Sequence, residues 1–240
     1  GGDSRVSADI TSYMNGYKDP RRAAMFTEST FADGGYYGIR TGINIPDGTI
    51  AHAYSNYNVK TDSKLIIMNS AESAFLRAEG ALKGWNMGAT AKELYEQGIK
   101  LSFEQWGVQG ADAYIADNSS MPQGYKDPAG LNSYSGATSQ ITIAWDDADA
   151  AKNLERIITQ KWIANFPLGI EAWSEYRRTG FPKLMPVVVN NSGGTVSNER
   201  GARRLAYPQE ERINNSENYP HVLQLLGGTD NMGTDVWWAK

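Results

Sequence analysis

Apolar residues fall along this chain in two regimes, periodic stretches and aperiodic ones. From Lys64, the residues Ile67, Ala71, Phe75, Ala78 and Leu82 recur three or four apart, the spacing of one face of an amphipathic helix. The pattern predicts a helix over 64–83, stopped at Gly84 with Trp85 packing over its end. Thr90 followed by Glu93 is a capping box. It opens a second helix over 90–106, with Tyr95, Ile99, Phe103 and Trp106 as the buried face and Gly107 as the stop. Residues 63–107 therefore read as a helical hairpin, close in length to one tetratricopeptide-type repeat. A third periodic stretch opens at Asp146 and Asp147, where the positive end of a helix dipole favours carboxylates. Its apolar face is Leu154, Ile157, Ile158, Trp162 and Phe166. Pro167 breaks that helix, and a short one over Gly169–Arg178 precedes Gly180 and Pro182.

The other regions lack the helical period. Residues 1–62 carry turn signals at Asp19-Pro20, Gly34-Gly35 and Pro46-Asp47-Gly48, which favour short strands and loops over long helices. A brief helix around Arg21–Phe26 is the exception. Residues 108–144 read as a loop holding Tyr114, Tyr125 and Tyr134, and loops of that length are usually functional or disordered. Leu184–Val189 and Arg203–Tyr207 read as strands flanking a Gly/Ser/Asn turn, Glu210-Glu211 as a solvated turn, and the tail as extended up to Trp237-Trp238. The fold class that emerges is mostly α, with long irregular loops and a few short strands.

Composition narrows the chemistry. The chain of 240 residues has 21% charged and 40% apolar residues, a globular profile. Its net charge is −4 with no Lys/Arg cluster, so nucleic acid is not an expected partner. Cysteine is absent and the two histidines, His52 and His221, are far apart. No metal or cofactor site is expected from that set. No apolar run of about 18 residues could span a membrane as a helix, and the Gly-Gly start reads as a tag remnant or a trimmed chain rather than a signal peptide. One bias points the other way: 13 Tyr and 7 Trp outnumber 6 Phe, and rings with a polar handle suit surfaces that are half wet and half apolar.

No catalytic residue is expected either. Glu171 and Glu175 lie one helical turn apart, but Glu175 with Arg178 is an ordinary (i, i+3) ion pair, unlike two carboxylates facing across a sugar cleft. Asp146, Asp147 and Asp149 lack the Gly and distal Glu of a calcium loop. His52 and His221 sit in no nucleophile motif, and Gly193-Gly194 and Gly227-Gly228 lack the Lys of a phosphate loop.

Several segments resemble the SusD/RagB family of Bacteroidetes outer-membrane lipoproteins. Asp19-Pro20-Arg21-Arg22 resembles an element opening the family's central segment. Ala71-Glu72 through Arg77-Ala78-Glu79-Gly80-Ala81, then Leu94-Tyr95-Glu96-Gln97-Gly98-Ile99 and Gln105-Trp106-Gly107-Val108, resemble its late helical hairpin. Gln160-Lys161-Trp162, Glu171-Ala172-Trp173, Arg177-Arg178-Thr179-Gly180-Phe181-Pro182, Arg203-Arg204, Tyr207-Pro208-Gln209-Glu210-Glu211 and Asn218-Tyr219 follow in the same order. Gly227-Gly228-Thr229-Asp230-Asn231-Met232-Gly233-Thr234 and Trp237-Trp238 resemble its terminus.

The resemblance implies that residues 1–240 are the C-terminal part of a SusD-like domain, with a loop-rich binding segment (1–62), the hairpin (63–107), a loop (108–144) and a final region of helices, short strands and tail (145–240). It implies a non-catalytic module on the extracellular face of the outer membrane that holds glycans, or in some members peptides, for a SusC-like TonB-dependent transporter. Membrane attachment would run through a lipid anchor outside this chain, along with roughly the N-terminal half. The expected ligand-binding residues are Tyr36, Tyr37, Arg40, Asn44, Tyr54, Asn56 and Tyr57, which mix rings for stacking on sugar faces with amide and guanidinium groups for hydroxyls. A helical-repeat adaptor that binds only protein, and a glycoside hydrolase, are the alternative functions.

Overall fold

The computed structural model describes residues 4–136 and 138–239. Its α-helices are, in chain order, α1 (Ala8–Gly16), α2 (Arg22–Met25), α3 (Gly48–Ala51), α4 (Ser70–Leu82), α5 (Ala91–Gln105), α6 (Ala111–Ile115), α7 (Ala150–Ala164), α8 (Gly169–Thr179), α9 (Gln209–Asn214) and α10 (Tyr219–Leu226). Among the described residues, β pairing is limited to isolated bridges such as Phe26 with Tyr57 and Tyr125 with Tyr134.

Helices α4 and α5 form the predicted pair. Thr90 accepts from the Glu93 N–H while the Glu93 carboxylate accepts from the Thr90 N–H, so the capping box closes as read. Phe75, Ala78, Tyr95, Ile99 and Phe103 are buried. Gly98 is what lets the two helices approach: a Cβ there would stand 2.7 Å from the Phe75 ring. Helix α4 begins later than predicted, because Asn69 caps it by accepting from the Glu72 N–H at 2.7 Å. Ile67, at 75% exposure, therefore lies outside the helical face. Helix α7 packs on this pair, burying Ile157 and Ile158. Its cap is Asp149 rather than Asp146 or Asp147; Asp149 accepts from the Lys152 N–H at 3.0 Å.

The largest departure is α1, which occupies a segment expected to hold no long helix. Ser7 caps it, seven of its nine residues are buried, and Ile10, Tyr13 and Met14 join the same core as α4, α5 and α7. The spacing of Val6, Ile10, Tyr13, Met14 and Tyr17 is helical, but polar residues between them and the turn signals beyond obscure it. The 108–144 loop contains the short α6, which buries Tyr114. Neither predicted strand forms. The Val188 and Val189 N–H groups donate to the Gly42 carbonyl and Val187 to Asn198, while Arg203 donates to Met232 and Tyr207 to the Asp230 carboxylate. With those backbone bonds drawn to separate partners, the two segments do not pair. Glu210-Glu211 starts α9 rather than a turn, and the tail contains α10.

Two charged groups lock the helices together. Arg21 and Asp19, both fully buried, pair at 2.6 Å. The Arg21 guanidinium also donates to Ser102 on α5, Gln160 on α7 and the Tyr114 hydroxyl on α6. The Asp-Pro-Arg element is thus a polar rivet through the core. At the edge of α4, α7 and α8, Lys161 lies between Glu72 and Glu175, and Arg178 pairs with both Glu175 and Glu79. Burial alone would raise the Glu79 carboxyl, but hydrogen bonds from Arg178 and Lys83 outweigh it and hold it at about 2. No helix of the described residues is long and apolar enough to cross a membrane.

Candidate functional site

The segment from Tyr36 to Tyr57 runs along two clusters, and neighbouring tyrosines go to different ones. Tyr36 packs edge-on against Phe26, with its ring 6.4 Å away, beneath the Arg22 guanidinium at 5.6 Å. Tyr57 is bridged to Phe26 and stands edge-on to Phe166 at 5.2 Å. Burial raises the Tyr36 hydroxyl above its ordinary pKa, with the nearby Glu28 charge adding to it. Asn56 turns its side chain to the Tyr57 N–H at 2.8 Å. These groups make the first cluster, and both tyrosine rings are half-buried.

Tyr37 belongs to the second cluster, with Ala8, Tyr125, Tyr134 and Met185. Tyr54 is buried, and its hydroxyl donates to Asp127 at 2.5 Å. Asp127 in turn accepts from the N–H groups of Ala129, Leu131 and Asn132, so one carboxylate shapes the 127–132 loop. Burial and the Asp127 bond push the Tyr54 hydroxyl well above its ordinary pKa. Arg40, 7% exposed, donates to the carbonyls of Pro186, Asn132 and Ser133 and lies 5.3 Å from the centre of the Tyr134 ring. Asn44 is exposed.

Of the expected binding residues, then, Tyr36, Tyr37, Asn56 and Tyr57 are half-buried and Asn44 is exposed, whereas Tyr54 and Arg40 sit inside the scaffold that holds them. Tyr125, Tyr134 and Asp127 are further members that arrive from the second loop. Tyr125 donates its hydroxyl to the Gly38 carbonyl at 2.7 Å, across 87 residues of sequence, a link that no local pattern encodes. Tyr114, from the same loop, goes instead to the Arg21 core.

The carboxylates considered for hydrolysis are placed by the ion network. Glu175 is held by Lys161 at 3.1 Å and Arg178 at 2.7 Å, while Glu171 is exposed. Among the described residues, no cluster of three or more His, Cys, Asp or Glu side chains could hold a metal ion.

Comparison with known proteins places these features in a family. The profile of the SusD-like family, described as SusD and RagB outer membrane lipoproteins, matches residues 2–239. None of the curated proteins matches the chain. Among solved structures, a SusD homologue from Bacteroides uniformis is 52% identical with a TM-score of 0.92, over 98% of this chain and 49% of that one. A chitin-binding SusD homologue from Flavobacterium johnsoniae is 50% identical with a TM-score of 0.91, over 98% of this chain and 49% of that one. A SusD homologue from Bacteroides ovatus is 44% identical with a TM-score of 0.92, over all of this chain and 52% of that one. The chain spans about half the length of the solved structures it matches. With a family profile that matches residues 2–239 and solved homologues that share its fold at up to 52% identity, the chain belongs to the SusD-like family of outer membrane lipoproteins.

Proposed function

We propose that this chain is the glycan-holding part of a non-catalytic lipoprotein on the extracellular face of the outer membrane, and that it hands its ligand to a SusC-like TonB-dependent transporter. The observation that carries the reading is a set of half-buried tyrosine rings, Tyr36 and Tyr57 set against Phe26 and Phe166, and Tyr37 and Tyr134 beside the buried polar groups of Arg40, Tyr54 and Asp127. Rings fixed in this way offer stacking faces to sugars at little cost in side-chain ordering. Asn44 and Asn56 lie in the same segment, where amides can meet hydroxyls. A relative of 50% identity described as chitin-binding supports a sugar ligand, and the family description supports the lipoprotein setting. The transporter follows from the family resemblance.

Affinity electrophoresis of the intact chain through gels containing chitin derivatives and other polysaccharides tests the reading, alongside a reducing-end assay. Retardation by at least one polysaccharide with no release of reducing ends is expected. A folded chain that no polysaccharide retards, or sugar release that Glu171→Gln abolishes, refutes it.

A further inference from the structure

A cleft of about 520 Å3 opens at the C-terminal end of α8 and shares no lining residue with the tyrosine segment. Arg177, Arg178, Lys183, Arg200 and Arg203 line it, against one carboxylate, Glu199, in a chain whose net charge is −4. Helix-dipole stabilisation accounts for cations in the last turn of α8, Arg177 and Arg178. It does not account for Lys183, Arg200 and Arg203, which arrive from beyond the helix.

The charges are incompletely matched. Arg178 is paired with Glu79 and Glu175, but Arg200 and Arg203 share the single carboxylate of Asp235. Arg177 has no carboxylate within ion-pair distance among the described residues. Two indoles position it instead, Trp173 at 3.8 Å and Trp238 at 4.9 Å from the guanidinium carbon. Its Nη1 donates to the Arg203 carbonyl at 3.1 Å, and its buried Nε–H finds no acceptor. Burial and the neighbouring Arg203 charge both weigh against its cationic form. Arg177 is thus a cation held in place by aromatic faces, with no counter-charge among the described residues.

We propose that this cleft is an anion site that takes an oxyanion carried on a sugar, either the carboxylate of a uronate or a sulfate ester. Arg177 is the fixed anchor, since a guanidinium fork matches planar and tetrahedral oxyanions through paired N–H donors. Lys183, 3.5 Å from Glu155, and Arg200, 2.7 Å from Asp235, have side chains 52% and 54% exposed, and each would exchange a partly solvent-exposed ion pair for the anion. That the oxyanion is borne by a sugar rests on the glycan reading above; the anion site itself does not.

The test is calorimetry on the intact chain with three probes: oligogalacturonate, a chondroitin sulfate oligosaccharide and a neutral chitin oligosaccharide. At least one acidic probe is expected to bind, with affinity falling as salt is raised, and the neutral probe is expected not to displace it. The Lys183→Gln/Arg200→Gln double variant, altered at exposed positions, should weaken acidic binding about tenfold while chitin-oligosaccharide binding stays within twofold. Arg177→Gln should weaken acidic binding at least as much; if it fails to fold, the double variant decides. Carboxylate and sulfate are told apart by which acidic probe binds. The proposal falls if neither acidic probe binds the parent chain, if the double variant binds them unchanged, or if the neutral probe displaces them. Acidic binding that the double variant weakens, in a chain that no neutral polysaccharide retards, would speak against the tyrosine-surface reading and leave this one standing.

Discussion

Replacing Arg21 by Met probes the buried rivet most directly. At the observed separation of 2.6 Å between Arg21 and Asp19, the attraction comes to about 6 kcal/mol at an effective dielectric constant of about 20. The desolvation penalty of several kcal/mol per ion offsets most of that, so the intact pair contributes little net stability. Removing one partner leaves the penalty without the offset. In Arg21→Met the Asp19 carboxylate would stay fully buried, keeping the bond from the backbone N–H of residue 21 but no counter-charge. Ser102 and Gln160 Oε1 would lose their donor, whereas Gln160 Nε2 would still donate to the Tyr114 hydroxyl at 3.0 Å. The expected loss is about 3–5 kcal/mol, which for a chain of this size lowers Tm by roughly 6–20 °C. Asp19→Asn/Arg21→Met should be more stable than the single Arg21→Met, because no charge is then stranded. Urea unfolding followed by tryptophan fluorescence and circular dichroism measures all of these. A change below 1 kcal/mol in Arg21→Met, or a double variant no better than the single one, would refute the reasoning.

Gly98→Ala gains about 1 kcal/mol of helix propensity, yet it should destabilise by about 1–3 kcal/mol, because the new methyl meets the Phe75 ring at 2.7 Å; a net gain in urea unfolding would overturn that. Glu79 has its pKa lowered from 4.5 to about 2, so its contribution is complete above about pH 4.5 and is lost as pH falls toward 2. Comparing acid unfolding of the parent and Glu79→Gln should reveal about 2 kcal/mol of pH-dependent stability over that window, after allowance for solvent screening. Tyr54→Phe removes the 2.5 Å bond to Asp127 and should cost about 1–2 kcal/mol while leaving glycan affinity within twofold. Tyr37→Ala and Tyr57→Ala should weaken that affinity at least fivefold with a smaller effect on melting, as read by affinity electrophoresis beside thermal denaturation.

The sequence patterns that carried over were local and repetitive. The capping box at Thr90 and Glu93, the apolar faces of α5 and α7, and the α8 break at Gly180 depend on residues within four positions of one another, where periodicity and capping act. Helix α1 escaped because polar Asp9, Thr11 and Ser12 are buried along with its apolar side, which blurs the face a pattern search needs. The two supposed strands had apolar residues but no mutual pairing, since their N–H groups go to Gly42, Asn198, Met232 and Asp230. In the tyrosine segment, residue type suggested a mixture of rings and amides suited to a sugar, but exposure did not follow from type. Tyr54 and Arg40 are inside because Asp127 and Pro186, 73 and 146 residues away, supply their partners.

The placement of α1 bears on how the chain reaches its folded state. Tyr13 donates to the Lys183 carbonyl, Tyr17 to that of Ile141, and Asp9 accepts from the Met185 N–H, across 170, 124 and 176 residues. Its buried polar groups have those partners only when the far part of the chain is present. During vectorial synthesis, roughly 5–20 residues per second, a helix made 124–176 residues before its partners must wait many seconds for the contacts that satisfy it. Such distant contacts also slow folding, because loop closure precedes the contacts that reward it. Meanwhile α1 presents Ile10, Tyr13, Met14 and Tyr17 to solvent or to a chaperone. The α4–α5 hairpin can assemble locally, whereas α1 and the rivet, whose Arg21 reaches Ser102, Tyr114 and Gln160 across 81, 93 and 139 residues, both wait for distant partners.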